Sequence, residues 1–264
     1  MIAPRVVYSV EPKDGTVIVT TNQFFVLQQA LGRPGIEFDH RKFNWLGSAH
    51  KPIGHCAVRR DLGITGIEEI IGGKELHTAT SRPGSSGYDI PAVLNAALGT
   101  RFKLVTGYPG IAPVLAAIDR KEADAFCSAD PLHPAMTPAL GGEDPVAKVV
   151  VTLLPDPSDE PMLRNVPPAE NLAKTREAKM LLRTLAAPLK MAFPWAVAPG
   201  VPSERVAALR QALARTFTDP RFLNEAKKAK TGLDFTTGEE VSRIVHDSLN
   251  TPQATLEKFK EILK

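Results

Sequence analysis

The sequence predicts an α/β protein in which strands and helices alternate over the first two thirds of the chain and helices alone follow. Three observations predict this class. Short β-branched or apolar runs such as Thr16–Thr21 and Lys148–Leu154 have the length of buried strands. Segments with apolar residues at helical spacing, such as Ile111–Asp119, follow several of these runs after glycine-rich turns. Such alternation is typical of strand–helix units, so we expect a parallel sheet.

The individual elements follow from the same patterns and from their stop signals, because glycine ends helices and proline or glycine bounds strands. The expected strands are Thr16–Thr21, Phe43–Gly47, Cys56–Val58, Glu75–Thr80, Phe102–Thr106, Ala123–Cys127, Lys148–Leu154 and Trp195–Ala198. The expected helices are Asn22–Leu31, Thr65–Ile71, Ile90–Leu98, Ile111–Asp119 and Ala169–Leu185, and then helices that begin at Ser203, Pro220, Glu239 and Thr251. The proline-rich segment Pro155–Pro168 is expected to be a long loop.

Composition excludes several classes of protein. A chain of 264 residues with 43% hydrophobic residues can bury a large core, as one domain or as two. The net charge of +3 is too small and too scattered for a nucleic-acid surface, so we expect no nucleic-acid partner. No apolar run reaches the 18 or so residues of a membrane-spanning helix.

Two turns are candidates for binding an anion. Ser81–Gly87 and Gly107–Gly110 each lie between an expected strand and an expected helix, where helix N–H groups are unpaired and the helix dipole is positive. Neither turn has the spacing of a phosphate loop or of a dinucleotide fingerprint, so we expect no nucleotide cofactor. Asp89 complicates the first turn, because a carboxylate that caps the helix would oppose an anion.

Catalytic and metal chemistry find little support in the sequence. The six histidines lack the helical pairing or cysteine partners of zinc sites, and no Gly-x-Ser-x-Gly motif is present, so we expect neither a metal nor an enzyme. Cys56 and Cys127 each lie in an apolar strand, which favours two small buried thiols over a disulfide bridge or a catalytic thiol.

Several motifs in order resemble the Bug-type solute receptors of tripartite tricarboxylate transporters. They are Val10-Glu11-Pro12-Lys13-Asp14-Gly15, Phe43-Asn44-Trp45-Leu46-Gly47, Arg82-Pro83-Gly84-Ser85-Ser86, Tyr108-Pro109-Gly110, Glu122-Ala123-Asp124-Ala125 and Val197-Ala198-Pro199-Gly200-Val201-Pro202. The resemblance extends over essentially the whole chain. It implies a type II periplasmic-binding-protein fold with two α/β lobes and a cleft, formed by residues 1–64 with 195–264 and by residues 65–194.

The resemblance also implies a function and a set of binding residues. Such a receptor binds a small mono- or dicarboxylate, uses no cofactor and delivers its ligand to membrane transporter subunits. The residues that match the family's binding loops are Thr21, Asn22, Ser81, Gly84, Ser85, Ser86, Thr106, Tyr108, Pro109, Gly110, Ser128 and Asp130. Asp130 fits least well, because a carboxylate repels an anionic ligand unless water or a proton intervenes.

The beginning of the chain departs from the family pattern. The family has an export signal, a first strand and a glycine-rich loop, whereas Met1 matches the helix that follows them. We therefore expect a first lobe truncated at its N-terminus, because the sequence is a fragment, has a misassigned start or belongs to a naturally short chain. We expect a periplasmic location by resemblance alone. A sensor protein of the same fold and, less favoured, an enzyme of small carboxylic acids are the alternatives.

Overall fold

A computed structural model of the protein describes residues 2–131, 133–154, 160–229 and 232–264. The chain forms two compact units. One consists of Met1–Pro52 and Ala187–Pro252, and the other of Ile53–Ala186 and Gln253–Lys264. The chain therefore passes from one unit to the other three times, and neither unit is continuous in sequence.

The first unit contains a four-stranded antiparallel sheet in the order β1-β8-β2-β9, with strands numbered along the chain. These strands are β1 (Val19–Thr20), β2 (Asn44–Ser48), β8 (Trp195–Val197) and β9 (Thr236–Thr237). Its helices are α1 (Ile2–Ser9), α2 (Phe25–Ala30), α8 (Ser203–Thr216), α9 (Pro220–Lys228) and α10 (Gly238–Leu249).

An aromatic cluster fills part of the core of the first unit. The ring of His40 stacks on Trp45 with centroids 6.2 Å apart, and Tyr8, Phe38 and Phe43 surround the pair. The Trp45 indole N–H donates to the His40 carbonyl at 3.0 Å, which satisfies the only polar group of that buried side chain. The strand motif that contains Trp45 is therefore a core element.

The second unit contains a five-stranded mixed sheet in the order β5-β4-β6-β3-β7. These strands are β3 (His55–Arg59), β4 (Leu76–Ala79), β5 (Phe102–Val105), β6 (Ala125–Ser128) and β7 (Ala147–Thr152). The helices are α3 (Ser86–Leu98), α4 (Ile111–Asp119), α5 (Thr137–Leu140), α6 (Ala169–Leu172), α7 (Arg176–Ala186) and α11 (Gln253–Ile262). Short 3-10 turns occur at His40–Lys42, Arg60–Leu62, Ile67–Glu69, Pro161–Leu163 and Ala187–Lys190.

The α/β class is confirmed, but the expectation of a parallel sheet is wrong. Only β4, β5 and β6 run parallel to one another. Strand β3 is antiparallel to both of its neighbours, and every pairing in the first unit is antiparallel. A helix connects β4 to β5 and another connects β5 to β6, and strands joined by such a crossover within one sheet run parallel. Strands that are joined in other ways can run in either direction.

The division into units also differs from the predicted boundaries at residues 64/65 and 194/195. Residues 53–64 belong to the second unit because β3 pairs with β6 and β7. Residues 253–264 join the same unit because α11 packs against α3 and α7. Residues 187–194 belong to the first unit, where the Ala192 amide donates to the carbonyl of His50 at 2.8 Å.

The helix expected over Ala169–Leu185 is interrupted. It consists of α6 and α7, and the Thr175 hydroxyl between them accepts from the amide of Ala178 at 3.0 Å. A threonine that satisfies an amide of a first helical turn starts a new helix at that point. Part of the expected loop Pro155–Pro168, residues 155–159, lies outside the described residues. Within the described ranges, no helix has the length and apolar character needed to cross a membrane.

Candidate functional site

Three loops of the second unit lie at one edge of its sheet. Strands β4, β5 and β6 are parallel, so their carboxyl ends meet at the same edge. Residues 80–85 follow β4, residues 106–110 follow β5 and residues 129–131 follow β6. In α/β sheets this edge is where ligands bind, because loops and helix starts converge there. Ten of the twelve predicted binding residues belong to these loops, to the first residue of α3 or to the last of β6.

The first two loops are joined by backbone hydrogen bonds. The amide of Gly107 donates to the carbonyl of Ser81 at 3.4 Å, and the amide of Tyr108 donates to that of Thr80 at 3.3 Å. The structure therefore brings together the two turns that the sequence identified separately. The side chain of Tyr108 packs against the apolar cluster of the second unit, while Thr106 and Pro109 are exposed.

The serine hydroxyls of the first loop are bound to one another. The Ser85 hydroxyl donates to the carbonyl of Arg82 at 2.7 Å, so the Ser81 hydroxyl, 2.6 Å from the Ser85 oxygen, is the donor in that second bond. Each hydroxyl has one proton to donate. Both hydroxyl protons are therefore used in hydrogen bonds within the loop, where the two serines stabilise the turn. Toward other groups these hydroxyls can act only as acceptors.

A buried carboxylate holds the remainder of this turn. Asp89, in the first turn of α3, is fully buried and accepts from the amide of Gly84 at 2.8 Å. The amide of Gly84 is therefore occupied. The sequence suggested that Asp89 caps its helix. In the structure its carboxylate instead binds the Gly84 amide and holds the preceding turn against the start of the helix.

Four backbone amides at this edge remain unpaired. The amides of Ser86 and Gly87 open α3, those of Ile111 and Ala112 open α4, and none of them donates to another atom of the described chain. The first amides of a helix have no partner within the helix, and the dipole makes that end positive. Together they form two donor pairs on neighbouring loops of one sheet edge.

The third loop lies close to the start of α3. A Cβ atom built on Gly87 would lie 3.4 Å from the carbonyl oxygen of Cys127, which places the helix start against the end of β6. Ser128 is half-buried and pairs with His55 in the antiparallel register of β3 and β6. Asp130 is also half-buried, so both predicted residues lie at the same edge as the four amides.

His55 is a residue that the sequence analysis did not single out. Its side chain is fully buried, neither ring nitrogen has a hydrogen-bond partner among the described residues, and the ring packs edge-on against Phe126. Burial lowers the pKa of His55 to about 4, although the Asp130 carboxylate and the backbone at Ser128 act in the opposite direction. The imidazole is therefore neutral at pH 7.

The cysteine prediction is wrong, because Cys56 and Cys127 form a disulfide. Strand β3 lies beside β6, and the register places these two residues directly opposite each other. Both side chains are buried. The pairing depends on a contact between strands 71 residues apart, which spacing along the chain does not reveal. The one available signal was that these are the only two cysteines in the sequence.

Thr21 and Asn22 belong to the first unit. Thr21 follows β1, is almost fully buried, and its hydroxyl has no hydrogen-bond partner in the described chain. The side-chain oxygen of Asn22 accepts from the amide of Phe24 at 2.9 Å and so forms the turn that leads into α2. Their role as ligand contacts stays a prediction.

Surface grooves occur away from these loops. One in the second unit, about 370 Å³ in volume, is lined by Glu68, Leu98 and Lys174 among others. Another in the first unit, about 300 Å³, lies between α8 and the sheet. Among the described residues, no group of three or more histidine, cysteine or acidic side chains is arranged to hold a metal ion. The candidate site is therefore defined by backbone donors on loops.

Comparison with solved structures identifies the fold as that of the periplasmic binding proteins. No protein-family model and no curated protein matches the sequence. A TctC solute-binding protein from Polaromonas superposes with a TM-score of 0.67 at 16% identity, over 98% of this chain and 82% of that one. The periplasmic binding protein BugD gives 0.66 at 16% identity, over 98% and 82%. MatC from Rhodopseudomonas palustris, solved with bound malate, gives 0.64 at 17% identity, over 99% and 83%.

These matches narrow the fold to the TctC and Bug type of solute-binding protein, which is the type that the sequence motifs resemble. They extend over nearly the whole chain. The expectation of a periplasmic-binding-protein fold is thus confirmed. The sequence identity is too low to assign the roles of residues in those proteins to residues of this chain.

Proposed function

We propose that this protein is a solute-binding receptor of the tripartite tricarboxylate transporter type and that its ligand is a small carboxylate. One observation carries the proposal. The unpaired amides of Ser86, Gly87, Ile111 and Ala112 lie at two helix starts on one sheet edge, and a carboxylate is the group that such donors bind. The solved neighbour MatC holds malate, which supports the same class of ligand.

The four proposed hydrogen bonds provide enough binding free energy for a receptor. A hydrogen bond to a charged group contributes about 1.5 to 3 kcal/mol. Four such bonds would give a gross term similar to the roughly 8 kcal/mol of micromolar binding, before the costs of association are subtracted.

The proposed location is the periplasm, where transporter subunits of the membrane would be the partners. The disulfide between Cys56 and Cys127 supports an oxidising compartment, because cytosolic thiols are kept reduced. The solved neighbour BugD is a periplasmic binding protein, which supports the same location.

Proline at the first position of α3 tests the proposed donors. Ser86→Pro removes one amide proton, and proline is tolerated there because the residue before it, Ser85, is already extended. We expect titration calorimetry with a panel of mono- and dicarboxylates, malate included, to show binding by the wild-type protein. Ser86→Pro should weaken that binding at least tenfold, and Ile111→Pro should do the same at α4.

The matched control is Ser203→Pro at the first position of α8, in the first unit. It makes the same chemical change at a helix start far along the chain and should leave affinity unchanged. If no carboxylate of the panel binds the wild-type protein, the proposed function is wrong. If a carboxylate binds and both site variants retain its affinity, the function survives and the proposed donors are wrong.

A further inference from the structure

His55 is a buried histidine whose two ring nitrogens have no hydrogen-bond partner among the described residues. A neutral imidazole has one N–H to donate and one lone pair that can accept. Leaving a buried donor unpaired costs free energy, which a phenylalanine in the same contact with Phe126 would not lose. The packing of the core therefore does not account for a histidine at this position.

His55 lies at the sheet edge that holds the candidate site. Strand β3 is antiparallel to β6 and begins where β6 ends, so His55 lies opposite Ser128. The amide of Gly54 donates to the carbonyl of Ala129 at 2.5 Å, which joins the start of β3 to the loop after β6. Side chains two residues apart in a strand point to the same face, so His55 shares a face with Ala57, which packs in the cluster formed with α4. The ring is therefore on the face that α4 covers and at the edge where α4 begins.

The carboxylate of Asp130 acts on this ring. Burial has the largest effect on the pKa of His55 and keeps the imidazole neutral at pH 7. The charge of Asp130, which is half-buried in the loop after β6, and the backbone at Ser128 both favour the protonated form. A further negative charge at this edge would shift the balance toward protonation, because it stabilises the cation.

The other titratable groups on the elements around β3 are placed differently. Those at the far end of the strands and of α4 are Arg59, Asp119, Asp124 and Lys148. Those on the loops that cover this face are Tyr108 and the exposed residues His133, Glu160 and Arg164. Asp89 belongs to α3 and binds the amide of Gly84. Asp130 is the one of these groups whose charge acts on the pKa of His55.

We propose that a carboxylate bound at this edge draws one proton from solution onto His55, so that ligand binding is coupled to proton uptake. This inference rests on the proposed function and assigns His55 a positioning role. The proton binds a ring nitrogen, and the imidazolium pairs with Asp130, whose charge otherwise repels the ligand. Because the ring is buried, His55 acts through Asp130 and not by touching the ligand. A half-buried carboxylate is then compatible with an anion site.

Affinity should therefore rise as the pH falls. The pKa of His55 is about 4 without a ligand. A bound anion raises it, so protons are taken up at pH values between the free and the bound pKa. We expect a bound pKa near the ordinary value of about 6.5, which makes binding about tenfold tighter at pH 5.5 than at pH 7.5 and takes up about 0.9 of a proton per ligand at pH 5.5.

Titration calorimetry in two buffers of different ionisation enthalpy measures this proton uptake. The full chain is titrated with malate, succinate and propionate at pH 7.5 and at pH 5.5. Ionisation of the ligand itself contributes equally to every variant, so differences between variants report groups of the protein. His55→Phe should bind as the wild type does at pH 7.5 and should lose both the tenfold gain and the proton uptake at pH 5.5. Asp130→Asn should bind about tenfold tighter than the wild type at pH 7.5, because the repelling charge is gone, and should gain little on acidification.

His77→Phe is the matched control. His77 also lies beside a carboxylate, with its Nδ1 atom 3.4 Å from an oxygen of Asp124, but at the opposite edge of the same sheet. This variant should keep the wild-type affinities and the wild-type proton uptake. Circular dichroism checks that each variant is folded, and His55→Gln replaces His55→Phe if the latter does not fold.

The possible results separate this inference from the proposed function. Binding with the same proton uptake in the wild type and in the His55 variant refutes the coupling and leaves the receptor function intact. Loss of the uptake in His77→Phe and not in the His55 variant would assign the proton to the other edge and would equally refute it. If none of the three carboxylates binds at either pH, the proposed function is wrong and the inference falls with it.

Discussion

Removing the disulfide between Cys56 and Cys127 should lower the free energy of unfolding of the second unit by about 4 kcal/mol. The bridge joins residues 71 apart, and it restricts the unfolded chain by closing that loop. For a unit of this size the loss corresponds to a melting temperature lower by about 10 °C. The variant Cys56→Ala/Cys127→Ala, measured by calorimetry, gives this value.

Two comparisons isolate the bond from the loss of packing. A reductant should destabilise the wild-type protein and leave the double variant unaffected, because only the former has a bridge to reduce. Cys127→Ala alone also removes the bond but keeps the sulfur of Cys56. The difference in unfolding free energy between this variant and the double variant therefore gives the packing contribution of that sulfur. Two thiols that react with an alkylating agent in denaturant without reductant would contradict the bridge in the purified protein.

Acidification should destabilise the protein through two buried histidines. Burial lowers the pKa of His40 and of His55 to about 4, against about 6.5 in an unfolded chain. Between these values the unfolded state binds more protons, so stability is complete above pH 6.5 and is lost as the pH falls towards 4. We expect each histidine to account for about 2 to 3 kcal/mol of lost unfolding free energy at pH 4.5.

Replacement of one histidine separates this effect from general acid unfolding. His55→Phe keeps an aromatic ring against Phe126 and removes no hydrogen bond of normal geometry, so its cost at pH 7 should be small. Between pH 7 and pH 4.5 its unfolding free energy should fall by about 2 to 3 kcal/mol less than that of the wild type, which is the contribution of one histidine. His246→Gln, at an exposed position, is the control and should keep the wild-type slope. Equal slopes in all three proteins would refute the assignment.

The local elements of this fold were largely predictable from the sequence. The strand ends near Thr80 and Val105 and the helix Ile111–Asp119 follow from short-range patterns of β-branched and apolar residues, and the structure has them within a residue or two. The position of β3 was not predictable in the same way. Its partners are β6 and β7, far along the chain, and no local pattern encodes such a pairing or its direction.

The candidate site was predictable as a set of loops and not as a set of donors. Glycine- and serine-rich turns before helices indicated loops that the structure places at one sheet edge. The sequence could not say that the hydroxyl protons of Ser81 and Ser85 are used inside the loop, or that Asp89 occupies the amide of Gly84. Hydroxyl bonds depend on distances of tenths of an ångström, which are set only when the turn is folded.

The threefold passage of the chain between its two units bears on how the protein is made. The first unit lacks α10 until the ribosome has reached residue 249, and the second lacks α11 until residue 262, so neither unit is complete before these helices are made. Partly made chains therefore carry unfinished apolar surfaces until both helices have been added. A chaperone that shields nascent segments should raise the yield of this protein more than that of a two-domain protein whose first domain is complete early.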